Sequence, residues 1–270
     1  MTTTIDVAAI KERQQQTWAT GDYSAVAARI VLTAEHLVDT ADLHAGWNVL
    51  DVATGSGNAA IAAARHGSHV VGVDYVPSLL ERGRARAAAE GLDIELVEGD
   101  AEALPFPDAS FDAVISVFGV MFAPDQERAA EELLRVSRPG GTIALANWTP
   151  DGFIGDMFRT IGAHVPPPAG LDSPLLWGTE TRLRELLGHG IESLDVNERI
   201  YTFRYPSAHA FVDFFRTWYG PTAKAFAALD DEGGDALEVD LVALADGYNR
   251  LADGAIAIPS AYIEAVATRS

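Results

Sequence analysis

Three aspartates and a short glycine loop carry the chemistry this sequence can do. Asp51 stands just before Val52-Ala53-Thr54-Gly55-Ser56-Gly57, Asp74 lies 17 residues beyond Gly57, and Asp100 sits in Glu98-Gly99-Asp100-Ala101. Gly55 and Gly57 let the backbone turn sharply and bring main-chain atoms against a ligand with no side chain between. A carboxylate placed as Asp74 is can accept both hydroxyls of a ribose. One placed as Asp100 is can accept a hydrogen bond from an exocyclic amine. Singly, each acid could be a solvated strand end; three of them around one glycine loop are a poor coincidence.

The elements that must position them alternate. Asn48–Ala53 is a short apolar run bounded by Gly46 and Gly55, as a buried parallel strand would be. Asn58–His66 is alanine-rich and helical, His69–Asp74 is a second strand, and Pro77–Glu90 is a helix with proline in its first turn and Gly91 past its end. Asp93–Val97 and Asp112–Val117 supply two more strands, Asp125–Val136 a helix, and Thr142–Asn147 a fifth strand after the turn Arg138-Pro139-Gly140-Gly141. Strands separated by helices predict right-handed crossovers, hence an α/β, doubly wound, mostly parallel sheet. Residues 6 to 41 carry two helical patterns broken at Gly21-Asp22. His164 to Gly178, with four prolines, predicts a surface loop. Arg182–Leu187 is helical, Glu198–Phe203 strand-like, 207 to 218, 221 to 229 and 236 to 251 helical, and Tyr262–Thr268 strand-like. The acids Asp230, Asp231, Glu232 and Asp235 predict a solvated turn between helices.

In an open α/β sheet ligands collect at the carboxyl ends of the strands, where the loop and all three acids fall. A dinucleotide would set its pyrophosphate against the loop and the helix N-terminus. Asp51 would then repel it. S-adenosylmethionine (SAM) has no phosphate and offers a ribose diol, an adenine amine, an α-ammonium group and a sulfonium cation, which match three carboxylates better. The alternative is an NAD-dependent oxidoreductase using GxGxxA and Asp74.

These segments resemble a known family. Leu50 to Asn58 resembles the nucleotide-binding motif of class I SAM-dependent methyltransferases, Val73-Asp74 their ribose-binding acid, and Gly99 to Phe106 their adenine-binding loop. Phe111 to Ser116 and Arg138 to Gly141 are similar to the fourth strand and the turn before the fifth. The nearest flavour is the ubiquinone/menaquinone C-methyltransferase-like (methyltransferase type 11) branch, which includes many small-molecule and natural-product enzymes. The resemblance covers residues 47 to 148; the tail from 150 to 260 matches no substrate-specific signature. It implies a Rossmann-like seven-stranded sheet whose last two strands, 198 to 203 and 262 to 268, pair antiparallel at the edge, with a helical cap inserted before the last. It implies an N-terminal lid (1–45), a SAM-binding core (46–150) and a remainder bearing the acceptor cap (151–270), all one structural domain. It places Asp51, Ala53, Gly55, Gly57, Asp74, Tyr75, Asp100, Ala101, Ser116 and Phe118 at the cofactor, with Trp18 and Tyr23 closing over it. A SAM-binding protein without catalysis remains an alternative.

Methyl transfer needs little beyond holding the acceptor in line, so proximity and orientation are expected to carry most of it. A base is needed only if the acceptor must lose a proton. Of the histidines, His164, opening the proline-rich loop, is the one placed to serve. Met121, Phe122, Trp148, Phe153, Trp218 and Tyr219 follow the fourth and fifth strands or lie in the cap, and are expected to line a pocket for an aromatic or natural-product acceptor.

Composition bounds the rest. Cysteine is absent, which removes disulfides, thiolate metal sites and cysteine nucleophiles. His66 and His69 have no third ligand, so no metal site is expected. Neither GxSxG nor HExxH occurs, and no run of 18 apolar residues could span a bilayer. No secretory signal is read at the start, so a cytoplasmic protein is expected. With 19 basic against 39 acidic residues the net charge is −20. Such a surface repels phosphate backbones and anionic lipid, leaving a small molecule as the expected partner, not nucleic acid or membrane, with a homodimer left open.

Overall fold

The computed structural model describes residues 7–270; residue 6 of the first helical pattern and the start of the lid lie outside them. Five parallel strands, β1 (Asn48–Val52), β2 (His69–Asp74), β3 (Ile94–Glu98), β4 (Phe111–Val117) and β5 (Ser137–Trp148), form the sheet with an antiparallel pair, β6 (Ile191–Tyr205) and β7 (Ile256–Arg269). The order is β3-β2-β1-β4-β5-β7-β6. It reverses between β1 and β4, which opens a crevice at their carboxyl ends. β1 and β4 are buried almost along their whole length, as strands covered on both faces must be. β6 is exposed through much of its length, as the outermost strand.

α1 (Val7–Trp18), α2 (Tyr23–Ala27) and α3 (Val31–Thr40) precede the sheet, so the lid region holds three helices where two were expected. The expected break at Gly21-Asp22 is there, with the Asp22 carboxylate capping α2 through the Ser24 amide at 3.0 Å; the extra break falls at residues 28–30, between α2 and α3. α4 (Asn58–Arg65), α5 (Pro77–Glu90) and α6 (Gln126–Val136) are the crossover helices. α7 (Phe153–His164), where no element was read, follows β5, and α8 (Glu180–Leu187) precedes β6. α9 (Ala208–Trp218), α10 (Gly220–Ala227) and α11 (Asp231–Tyr248) form the cap insertion between β6 and β7.

Two expectations are corrected in kind. Arg138 to Gly141 is not a turn ahead of the strand but a bulge inside β5: Phe111 pairs Ser137, whereas Ala113 already pairs Thr142. The acid cluster is the start of α11, with Asp230 capping Gly233 at 2.9 Å and Asp231 and Glu232 in the first turn, where the helix dipole favours negative charge.

Lid and cap meet backbone to backbone. A Cβ on Gly220 would stand 2.0 Å from the Thr17 carbonyl oxygen, and one on Gly21 2.8 Å from that of Trp218. Only glycine permits this approach.

Candidate active site

The floor of the site is the crevice between β1 and β4. Ala53 and Phe118, directly after these strands, both adopt a left-handed φ of 53°, strained for residues with side chains. Gly119 presses against Ala53 closely enough that a Cβ there would lie 2.6 Å from the Ala53 oxygen. Ser116 knits the two strands from behind: its hydroxyl donates to the Val52 carbonyl at 2.7 Å and accepts from the Val120 amide at 3.0 Å.

Asp51 and Asp74 are both buried. The Oδ2 of Asp51 accepts from the Thr54 hydroxyl at 2.5 Å and the Ala60 amide at 2.9 Å, capping α4, whose N-cap Gly57 has no side chain to do so. Its Oδ1 has no donor among the described residues. Burial pushes Asp51 up to about 7, against those two hydrogen bonds, with the charge of Asp74 adding to the rise. Asp74 accepts from the amides of Gly55 at 2.8 Å and Val76 at 2.9 Å, and burial pushes it up to about 6. Two buried carboxylates this close destabilise one another unless a cation or hydrogen-bond donors join them.

Asp100 is half-buried and already engaged. Its Oδ1 accepts from the Glu102 amide at 2.9 Å, and its Oδ2 from the Lys11 ammonium of α1 at 2.6 Å; Lys11 also pairs with Glu102. Gln15 donates to the Tyr75 carbonyl and Gln14 to that of Phe122, at 3.3 Å for the latter. Thus α1 is strapped across the crevice. Lys11, Gln14 and Gln15 were missed by sequence reasoning, because polar residues on a short helix carry no signal of what they face; Glu102 was missed because, in the loop after β3, only the partner on α1 gives it a role. The loop bearing Asp100 is gripped from α6: Glu132 accepts from the Leu104 amide at 2.7 Å, and Arg135 donates to the carbonyls of Leu104 and Phe106 at 3.0 and 2.7 Å. The Arg135 guanidinium holds Glu132 below the usual carboxylate range.

These walls enclose a cavity of about 330 Å³, within the range of small-molecule sites. Trp18, Tyr23, Asp51, Ala53, Gly55, Asp74, Tyr75, Asp100, Ala101 and Phe118 all line it. Gly57 and Ser116 do not; they shape it from behind.

The family model described as a methyltransferase domain matches residues 50–145. An uncharacterized protein of Mycobacterium tuberculosis is 45% identical over 242 residues, 88% of each chain. A demethylmenaquinone methyltransferase of Deinococcus radiodurans is 43% identical over 131 residues, 47% of this chain and 54% of that one. The YcgJ protein of Bacillus subtilis shares the fold with a TM-score of 0.60 at 19% identity, over 87% of this chain and 97% of its own. The chain belongs to the class I SAM-dependent methyltransferases. Its likeness to demethylmenaquinone methyltransferases extends over about half of this chain.

Beyond Phe118 the methyltransferase has a second, narrow space of only about 20 Å³, room for about one water. Tyr23, Ile30, Phe118 and Phe122 line both spaces; Trp148, Phe158, Phe203, Phe215 and Tyr219 complete the ring-rich wall of the second. Phe118 stacks flat on Trp148, centroids 4.0 Å apart, and Trp18 lies edge-on to Phe122, Tyr23 and Tyr219. No charged side chain lines this chamber. Of the residues expected at the acceptor, Phe122, Trp148 and Tyr219 are there. Met121 and Phe153 are fully buried core instead, Phe153 packing on Phe203, Phe211 and Tyr248, and Trp218 is a surface residue.

His164 is also elsewhere. It ends α7 and pairs through Nε2 with Asp240 of α11 at 2.7 Å, tying two helices together outside both chambers. Helix α7 turns its last residue away from the crevice, a direction that its place in a proline-rich sequence could not reveal. Among the described residues no histidine, aspartate or glutamate cluster could hold a metal ion, and no helix is long and apolar enough to cross a membrane.

Proposed function

We propose that this methyltransferase transfers the methyl group of SAM to a neutral, aromatic small molecule that arrives with its nucleophile ready. The observation that carries the reading is the uncharged, ring-rich wall of Tyr23, Phe118 and Phe122 at one end of the acid-lined cavity of about 330 Å³, backed by a narrow space of about 20 Å³. The donor set fits the cofactor. A buried carboxylate with a free oxygen, Asp51, suits an α-ammonium group, and a buried Asp74 with lone pairs remaining suits a ribose diol. Neither would tolerate a phosphate. Asp100 and Ala101 line the place for adenine.

When bound, SAM supplies a methyl carbon already activated by the sulfonium and a neutral leaving group. What the chain adds is position and dryness. Trp18 and Tyr23 close the lid side and exclude water, and the face of Phe118 sits between the two chambers where a ring can steady a cation. The two hydroxyl groups at the acceptor, on Tyr23 and Tyr219, are pushed up by burial and stay protonated, so they can orient an acceptor but not take its proton. An acceptor that must first be deprotonated finds no base here.

Titration calorimetry with the demethylated cofactor tests the first half. Asp74→Ala is expected to weaken binding by ~1–3 kcal/mol, about 5- to 150-fold, because the ribose hydroxyls lose their acceptor. An unchanged dissociation constant, or tight binding of NAD by the parent protein, overturns it. Screening neutral against charged aromatic acceptors for methylated product tests the second half. Turnover confined to acidic or cationic acceptors overturns the neutral-acceptor reading; cofactor binding with no product from any acceptor favours a SAM-binding protein without catalysis.

A further inference from the structure

On the far side of Phe203 from the aromatic chamber lies a separate cavity of about 490 Å³, between α3 and the carboxyl-terminal half of β6. Its polar lining includes Arg29, Thr33, His36, Tyr201, Arg204 and Tyr205, and no aspartate or glutamate contributes to its wall. That is an unusual lining for a chain with 39 acids against 19 bases. Many of the other arginines are engaged: Arg65 with Glu35 and Glu90, Arg135 with Asp108 and Glu132, Arg182 with Glu127 and Asp172. Arg29 and Arg204 form no salt bridge, and neither donates a side-chain hydrogen bond among the described residues.

Arg29 is nevertheless held in place. Its guanidinium carbon lies 4.2 Å from the centroid of Phe214 and 4.8 Å from that of Tyr205, and its carbonyl accepts from the Tyr201 hydroxyl. Stacking uses the face of the guanidinium and leaves its in-plane N–H donors without acceptors. Tyr205 contributes its ring, not its hydroxyl: the residue is 6% exposed and the unpaired hydroxyl is sealed away from the cavity. The apolar half of the wall is equally specific. Leu32 and Ile200, 62% and 53% exposed, flank the cationic end, with Phe203 and Tyr262 beyond.

We propose that this cavity binds a small organic carboxylate with an apolar, ring-sized body. The carboxylate would be taken in the plane of the Arg29 guanidinium with Arg204 beside it, since planar guanidinium donors match the two oxygens of a carboxylate. The body would lie along Leu32, Ile200 and Phe203. This site is distinct from the cofactor cavity, with which it shares no residue, and touches the acceptor chamber only through Phe203.

The probes are 2-naphthoate, its neutral counterpart 2-naphthamide, and inorganic phosphate, titrated into the full chain by calorimetry. Naphthoate is expected to bind with a dissociation constant below about 1 mM, and the amide and phosphate about tenfold or more weakly. Arg29→Gln and Arg204→Gln, both at exposed positions, should each weaken naphthoate about tenfold while leaving the affinity for demethylated cofactor within about twofold. No naphthoate binding overturns the proposal, as does an amide that binds equally well. Phosphate binding as tightly as naphthoate overturns its apolar half. Naphthoate affinity unchanged in both variants places the probe elsewhere and overturns the site.

Discussion

Lys11 of the first helix and Asp100 at the end of β3 are 89 residues apart and joined at 2.6 Å, directly over the cofactor cavity. The same ammonium pairs with Glu102, whose Oε1 accepts from the Asp125 amide ahead of α6. One lysine therefore ties the first helix to the Asp100 loop at the rim of the crevice. Lys11→Met keeps the stem but removes the latch. Release of the demethylated cofactor should be about three- to tenfold faster by stopped-flow fluorescence, in line with the ~1 kcal/mol of a half-exposed ion pair. An unchanged release rate means that the lid is held by Trp18 and the glutamines alone.

Asp51 and Asp74 make cofactor affinity depend on pH. Burial raises them to about 7 and about 6, well above the ordinary carboxylate range, so the folded, ligand-free protein takes up protons that the unfolded chain does not. Bound protons are then more numerous in the native state between pH 4 and 7, and ligand-free stability falls as pH rises through that window. A cationic ligand needs the ionised form, so its affinity moves the other way. Calorimetry from pH 5.5 to 7.5 should show the demethylated cofactor binding more tightly at the upper end, by up to about tenfold. Asp51→Asn should flatten the profile.

Gly119 has no room for a methyl group: a Cβ would lie 2.6 Å from the oxygen and 2.7 Å from the Cβ of Ala53. Both neighbours belong to the backbone crossing at β1 and β4, so neither can swing away as a flexible side chain could. Gly119→Ala should weaken cofactor binding about tenfold or more with little change in the circular dichroism of the fold. Cofactor affinity equal to the parent's would show that the crevice is softer than its contacts imply.

His164→Ala should leave cofactor affinity and turnover unaltered. Its partner Asp240 is 57% exposed, so the contact is worth only ~0–1 kcal/mol and the expected effect is a small fall in Tm. A large loss of turnover with the fold intact would restore the histidine to the reaction.

Glu132→Gln removes the charge that gathers Arg128 and Arg135 beneath the adenine-side loop. Glu132 is buried while both arginines reach solvent, which softens the penalty. Thermal unfolding should fall by roughly 2–10 °C, corresponding to ~1–3 kcal/mol. The cofactor should also bind less tightly, because the Leu104 amide loses part of its anchor.

Local rules settle the parallel core. β2 and α5 fall at His69–Asp74 and Pro77–Glu90, as read, because Pro77 and Gly91 punctuate the helix and an unbroken apolar run marks the strand. The three acids were legible as well, since each lies at or near the carboxyl end of a strand whose register is local: Asp51 inside β1, Asp74 closing β2 and Asp100 two residues past β3. Helix α7 was not: Gly155 and Gly162 depress its propensity, and Gly155 is there because a Cβ would stand 1.9 Å from the Pro150 oxygen. The long Arg138–Gly141 stretch reads as a turn until β4 is laid beside it and makes it a bulge.

Residue type by itself pointed to a doubly wound sheet and an acid-rimmed glycine loop, because period, punctuation and charge act over a few neighbours. Which aromatic rings face a chamber and which fill the core was decided only by packing: Phe118 and Trp148 stack at the site while Phe153 and Met121, of the same chemical kind, are sealed inside. The Lys11 strap and the arginine-lined cavity against β6 likewise exist only once distant elements meet. Contacts made across a sheet depend on the angles at which helices dock, and those are set by the whole core rather than by any one segment.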